Sequence, residues 1–259
     1  MKTLLCLIFG LAVSLEAATT NANFIATPAD LKARIPSQLQ ITKPDYVVFV
    51  PEVTDSGVND TGNEHFLVFD GPDGSLMAVW TQSSAESQPD QHIAFARSAD
   101  EGKTWTKPRI IAGPKKPGDG HMASWAYPLV SKSGRIYILY SQHIGRVDNF
   151  PHHTGWLHGI SSDDNGATWS APQNIPIPRS IRDNPDTTMP PNILCWQKPN
   201  RLGKNGKYFA GITRWTSFAV TPNPTKSWMS ADARVEFMRF ENVDDAPEPK
   251  DIKISWLAF

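Results

Sequence analysis

Ser98-Ala99-Asp100-Glu101-Gly102-Lys103-Thr104-Trp105 and Ser162-Asp163-Asp164-Asn165-Gly166-Ala167-Thr168-Trp169 share one pattern, S-x-D-x-G-x-T-W. An aspartate in a tight turn accepts hydrogen bonds from backbone N–H groups a few residues on and holds the turn closed. Gly102 and Gly166 supply the positive φ that such a turn needs. Trp105 and Trp169 then carry large apolar rings back under the turn. An apolar run precedes each copy, His92 to Arg97 and Leu157 to Ile160, and a short strand-like run follows, Arg109 to Ile111 and Gln173 to Ile175. Each copy therefore reads as a hairpin turn between two strands.

Around these turns the sequence repeats. Unit one has strands near 65–70, 75–82, 92–98 and 109–113; unit two answers with 123–131, 135–142, 157–162 and 173–177. The turns correspond, Gly71-Pro72-Asp73-Gly74 with Ser131-Lys132-Ser133-Gly134, and so do the strands Val79-Trp80-Thr81-Gln82 and Leu139-Tyr140-Ser141-Gln142. A looser third unit runs 190–197, 207–215, 234–241 and 252–259, with Val243 to Pro247 where the motif stood. Units of four short antiparallel strands at this spacing are propeller blades.

The eight-residue pattern resembles the Asp-box, the bacterial neuraminidase repeat of the sialidase superfamily. The resemblance implies an all-β, sialidase-like β-propeller, six-bladed in the family. This chain would carry about three four-stranded blades, at 63–114, 121–178 and 188–259. It also implies that the boxes, Ser98, Asp100, Gly102, Thr104 and Trp105 with Ser162, Asp164, Gly166, Thr168 and Trp169, are structural and lie away from the active site. Because Ile254 to Phe259 ends the chain inside an apolar strand, and bare strand edges invite aggregation, the expectation is a fragment of a longer chain. The rival is a complete three-bladed domain closed by Tyr46 to Val50.

A net charge of −1 without a basic run gives no electrostatic case for nucleic acid or an anionic membrane. Lys2, the apolar run Leu4 to Leu15 and Glu16-Ala17-Ala18 read as a secretory signal peptide over 1–18, too short to span a bilayer permanently. The expected destination is secreted or periplasmic, with no membrane span after cleavage. Cys195 would then remain alone, a small buried hydrophobe rather than a nucleophile. In the segment 19–62, Ala29 to Leu39 suits one or two helical turns, Tyr46 to Val50 a strand, and Asp55 to Gly62 a polar loop. Arg34-Ile35-Pro36 matches a sialidase tripeptide but stands some forty residues too early to be equivalent.

Topology sorts the loops. The boxes join third and fourth strands and mark one face; the long loops 83–91, 114–122, 143–156, 178–189 and 216–233 emerge on the other, where function tends to sit. Five of the seven histidines fall between 121 and 158. Sialidases bind an acidic sugar through three arginines, with an Asp as general acid and a Tyr–Glu pair as nucleophile. Carried over by position, that implies Asp90 as the acid, with Glu86 in reserve. The first arginine is missing, since Asn63-Glu64-His65-Phe66 stands in its place.

Glu64, Asp119, His121, His143, Arg182 and Arg214 are the expected substrate contacts, gathered with Asp90 around one cleft. A structural role stands beside each: Asp90 capping a turn, the arginines pairing with nearby acids, and Trp125, Trp156 and Trp215 in the core rather than on a sugar face. His152-His153 lacks a third ligand at recognisable spacing, so no metal or other cofactor is expected. Two functions fit: an exported sialidase-like glycoside hydrolase acting on a terminal, possibly acidic sugar, or a non-catalytic propeller binding carbohydrate or protein. A lyase step on the same scaffold is a distant third.

Overall fold

The computed structural model describes residues 28–51, 60–116, 118–150, 154–195, 197–223, 225, 227 and 232–258. The signal-peptide reading and His152-His153 lie outside them. Among the described residues, thirteen strands follow one α-helix, α1 (Pro28–Thr42). The first sheet pairs β1 (Gly62–Asp70), β2 (Leu76–Ser83), β3 (His92–Ser98) and β4 (Arg109–Ala112) in chain order. The second pairs β5 (Ala123–Val130), β6 (Ile136–His143), β7 (Gly155–Ser162) and β8 (Gln173–Asn174) in the same way. In the third, β9 (Asn192–Leu194) and β10 (Asn200–Leu202) both pair with β11 (Lys207–Trp215), which leads to β12 (Ala233–Phe240) and β13 (Ile254–Ala258). All pairings are antiparallel.

Side chains alternate across a strand with period two, and the second sheet uses both of its faces. Ile136, Ile138 and Tyr140 pack toward the first sheet against Met77, Val79 and Phe95. Tyr137 and Leu139 pack toward the third against Ile212, Met238 and Phe240. The sheets therefore stack as successive blades with apolar cores between them. Each fully buried side chain of this size contributes about 1.5–3 kcal/mol.

The two motif turns are built alike. Ser98 Oγ donates to Asp100 Oδ1 at 2.8 Å and accepts from the amide of Gly102 at 2.8 Å. The Asp100 carboxylate then accepts from the Thr104 amide at 2.8 Å and hydroxyl at 2.7 Å. Ser162, Asp164, Gly166 and Thr168 repeat the pattern. The threonine hydroxyl and amide, with the serine hydroxyl, bring both carboxyls down to about 2.

The tryptophans are half-buried rather than fully buried beneath their turns. Trp105 Nε1 donates to its own turn at Gly102 O, 3.0 Å. In the second box Arg109, from β4 of the preceding blade, donates to Gly166 O and to Ala167 O, fastening one blade to the next. Trp169 there packs edge-on against Phe95, with centroids 5.3 Å apart.

Four expectations need correction. Tyr46 to Val50 is not a strand: Val48 and Phe49 pack on Trp80 while the segment joins no ladder, so its apolar pattern reports burial without pairing. It closes no blade. The inner strand of unit three is split into β9 and β10, with Pro199, which has no N–H to donate, just before the second piece. Strand β8 is two residues long, because Pro176 and Pro178 stop the ladder after the Ile175 amide bonds Leu157 O at 2.8 Å. The helix is longer than one or two turns, running 15 residues through Pro36.

Candidate functional site

Strands β1, β3, β5, β7, β9 and β12 all begin at one edge of the stacked sheets, opposite the boxes. Two of the inner strands break register there: β1 against β2 between Glu64 and Leu67, and β5 against β6 between Ser124 and Tyr127. A bulge adds a residue and re-aims its side chain, often beside an active site. In both bulges a bulky residue takes the left-handed region, His65 at φ 54° and Trp125 at φ 55°, a conformation that L side chains adopt only when their surroundings hold them.

The two bulge residues meet. Trp125 Nε1 donates to His65 Nε2 at 3.2 Å, the rings stand edge to face at 6.0 Å, and the Trp125 amide donates to Thr81 Oγ1 at 3.0 Å. An indole N–H can only donate, so Nε2 accepts and neutral His65 carries its proton on Nδ1. Nδ1 faces Glu64 Oε2 at 3.8 Å. Burial raises the pKa of the half-buried Glu64 carboxyl, and the nearby Glu86 carboxylate raises it further. Sequence reasoning missed His65 and the pairing of the bulges, since nothing in Asn63-Glu64-His65-Phe66 signals an extra residue in the ladder.

His121 and His143 do come together. With Pro89, Met122, Gly145 and Arg146 they line a pocket of about 190 Å³. The His121 ring lies so close over Gly145 that a Cβ there would meet Cε1 at 2.4 Å, and Gly145 itself sits at φ 72°. The His143 amide donates to Met122 O at 3.1 Å, holding the loop to the strand. Asp119 stands exposed on that loop, 4.0 Å from Lys116.

The other expected contacts are engaged within the protein. Both oxygens of Asp90 accept from Ser84, one from its amide at 3.0 Å and one from its hydroxyl at 3.1 Å, closing the β2–β3 loop. Arg182 donates to Thr216 Oγ1 at 2.7 Å and Asp232 Oδ2 at 2.5 Å. Arg214, only 1% exposed, donates to both oxygens of Asp183, to Glu236 at 2.9 Å and to Pro178 O at 3.1 Å. A guanidinium so enclosed ties the third blade to the 178–189 loop. Trp125 and Trp215 are likewise core residues, packed with Leu194.

Asp148 is the hub of the long loops. Its carboxylate accepts from Asn184 at 2.6 Å, Ser217 at 2.8 Å and Asn192 at 2.6 Å, joining three loops to β9. No group of three metal-ligating side chains stands together among the described residues, and no described helix is long and apolar enough to cross a membrane.

Stacked antiparallel blades with S-x-D-x-G-x-T-W turns at one edge and long loops at the other define a sialidase-type β-propeller fold. Residues 74–213, more than half of the chain, match the BNR repeat-like domain, and the chain belongs to that family within the sialidase superfamily. A sialidase of Bacteroides fragilis is 29% identical over 150 residues, covering 46% of this chain and 26% of that protein. A Streptococcus pneumoniae sialidase superposes with a TM-score of 0.54 at 9% identity, over 83% of this chain and 47% of that one. The intramolecular trans-sialidase of Ruminococcus gnavus gives 0.51 at 12%, over 82% and 63%. At such identities the structural likeness is one of fold. The chain spans about a quarter of the length of the curated relative.

Proposed function

We propose that this chain is an exported glycoside hydrolase of the sialidase family, acting on a terminal sugar, with Glu64 as proton donor to the leaving oxygen. The family and the sialidase relative support a carbohydrate substrate. The Lys2 to Ala18 leader-like sequence supports export. The observation that carries the assignment of chemistry is Glu64 itself: a half-buried carboxyl on an inner-strand bulge, raised in pKa by burial and by Glu86. Glycosidases pair one protonated and one ionised carboxyl, and two neighbouring carboxylates cannot both ionise easily. His65, tied to Trp125 and with Nδ1 3.8 Å from Glu64 Oε2, positions Glu64.

Asp90, the donor that position in the sequence implies, has both oxygens committed to Ser84 and is the turn-closing alternative. Kinetics separate the two. A general acid contributes about 10²–10⁴-fold, and a good leaving group needs little of it. Glu64→Gln should therefore lose far more turnover on unactivated glycosides than on nitrophenyl glycosides, while Asp90→Asn lowers both alike. The reverse pattern would return the acid role to Asp90.

A further inference from the structure

We infer that Thr81, on β2, is a positioning residue for Glu64 and acts across the boundary between the first two blades. This rests on the donor role proposed for Glu64 and adds to it the residue that aims the carboxyl.

Thr81 is 1% exposed and stands opposite Glu64 in the β1–β2 ladder. Its hydroxyl does not stay within the first blade. It accepts from the amide of Trp125, on β5 of the second, at 3.0 Å. The β5–β6 ladder slips register between Ser124 and Tyr127, and a buried amide turned out of its ladder needs another acceptor. Thr81 Oγ1 is that acceptor, and the residue it holds lies in the left-handed region, at φ 55°. Holding the amide fixes the Cα–Cβ direction of Trp125, and with it the reach of the indole N–H to His65 Nε2 at 3.2 Å. His65, at φ 54°, turns Nδ1 toward Glu64 Oε2 at 3.8 Å. The path from Thr81 through Trp125 and His65 to Glu64 closes on itself, because Glu64 pairs with Thr81 in the ladder. Supporting bonds of this kind are what hold a reacting group to its productive geometry.

The repeat supplies a comparison. Ser141 stands in Leu139-Tyr140-Ser141-Gln142 where Thr81 stands in Val79-Trp80-Thr81-Gln82. Ser141 Oγ is buried as well, yet it has no hydrogen-bond partner among the described residues. The blade pattern alone therefore does not bond a hydroxyl at this place to the next blade. The bond at Thr81 belongs to the boundary that carries Glu64.

Thr81→Val keeps the shape and removes the acceptor, whereas Thr81→Ser keeps the acceptor. The test compares both with the 259-residue parent by the imidazole nitrogen shifts of His65 and by kinetics on unactivated and nitrophenyl glycosides. Thr81→Val should move the His65 nitrogens and lower kcat on the unactivated glycoside at least about tenfold, with KM and nitrophenyl turnover little changed. Thr81→Ser should restore the parent values in both readouts. In a Trp125→Phe background, Thr81→Val should add no further nitrogen shift, because the hydroxyl acts through the indole. Should Thr81→Val not fold, Thr81→Cys serves the same contrast, since sulfur is a weak acceptor. His65 shifts unchanged by loss of the hydroxyl would overturn the inference, as would a further shift in the Trp125→Phe background. Turnover of the unactivated glycoside lost in Glu64→Gln but kept in Thr81→Val would overturn it alone and leave the proton-donor reading standing. Turnover kept in both variants, or absent from the parent, would overturn the two readings together.

Discussion

At the scale of the residue, charge is spent in two ways. Asp100 and Asp164 lie on the surface with carboxyls held near 2 by threonine and serine donors. A carboxyl lowered in the folded state stabilises above its unfolded value, near 3.9, and loses that contribution as pH falls toward its folded value. Asp164→Ala should therefore lower the melting temperature at neutral pH, and the deficit should shrink between about pH 4 and 2; a deficit constant across that range would mean that packing, not the carboxylate, is lost. Glu64 works in the other sense. Its raised pKa means that the folded state holds its proton longer, so its contribution is lost as pH rises through the folded value. Glu64→Gln should accordingly melt higher than the parent at neutral pH while losing turnover, a trade-off that calorimetry and kinetics on one preparation would reveal. Arg214 is structural: Arg214→Ala should cost about 3–5 kcal/mol in denaturant unfolding, because it strands two buried acids. A loss below 1 kcal/mol would show that the cluster is solvated.

At the scale of the element, the bulges are the main feature that the sequence concealed. Period-two patterning and turn chemistry made the strands of the first two units legible to within a residue or two at most ends, as for His92–Ser98. Patterning cannot reveal an extra residue in a ladder. Nor can it reveal that His65 and Trp125, 60 positions apart, share a hydrogen bond. The same limit misread Tyr46 to Val50, since apolar alternation signals burial and not the partner of the backbone. Loop topology did bring His121 and His143 to one pocket, whereas the partners of Arg182 and Arg214 lie 22 or more positions away in sequence and left no local trace. The tautomer of His65 offers a direct check. Nitrogen shifts should report a protonated Nδ1 in the parent, and Trp125→Phe, which keeps a ring but not the N–H, should free Nε2 for protonation. An unchanged tautomer would show that Glu64 alone sets it.

At the scale of the whole molecule, the blades are joined by apolar stacking and by Arg109 reaching the second box. Gly166 sits where both constraints meet: φ is 77°, and a Cβ would stand 2.6 Å from Phe95. Gly166→Ala should cost about 2 kcal/mol or more through backbone strain and overpacking between blades, against a smaller loss at Gly203, whose φ of 72° carries the strain but whose surroundings are open. A structural edge and a working edge divide the molecule, and backbone hydrogen exchange in the presence of a bound glycan would read that division. Added protection is expected at 62–66, 84–91 and 119–125 and around 143–147, with 98–105 and 162–169 unchanged. Protection concentrated at the two S-x-D-x-G-x-T-W turns would contradict it.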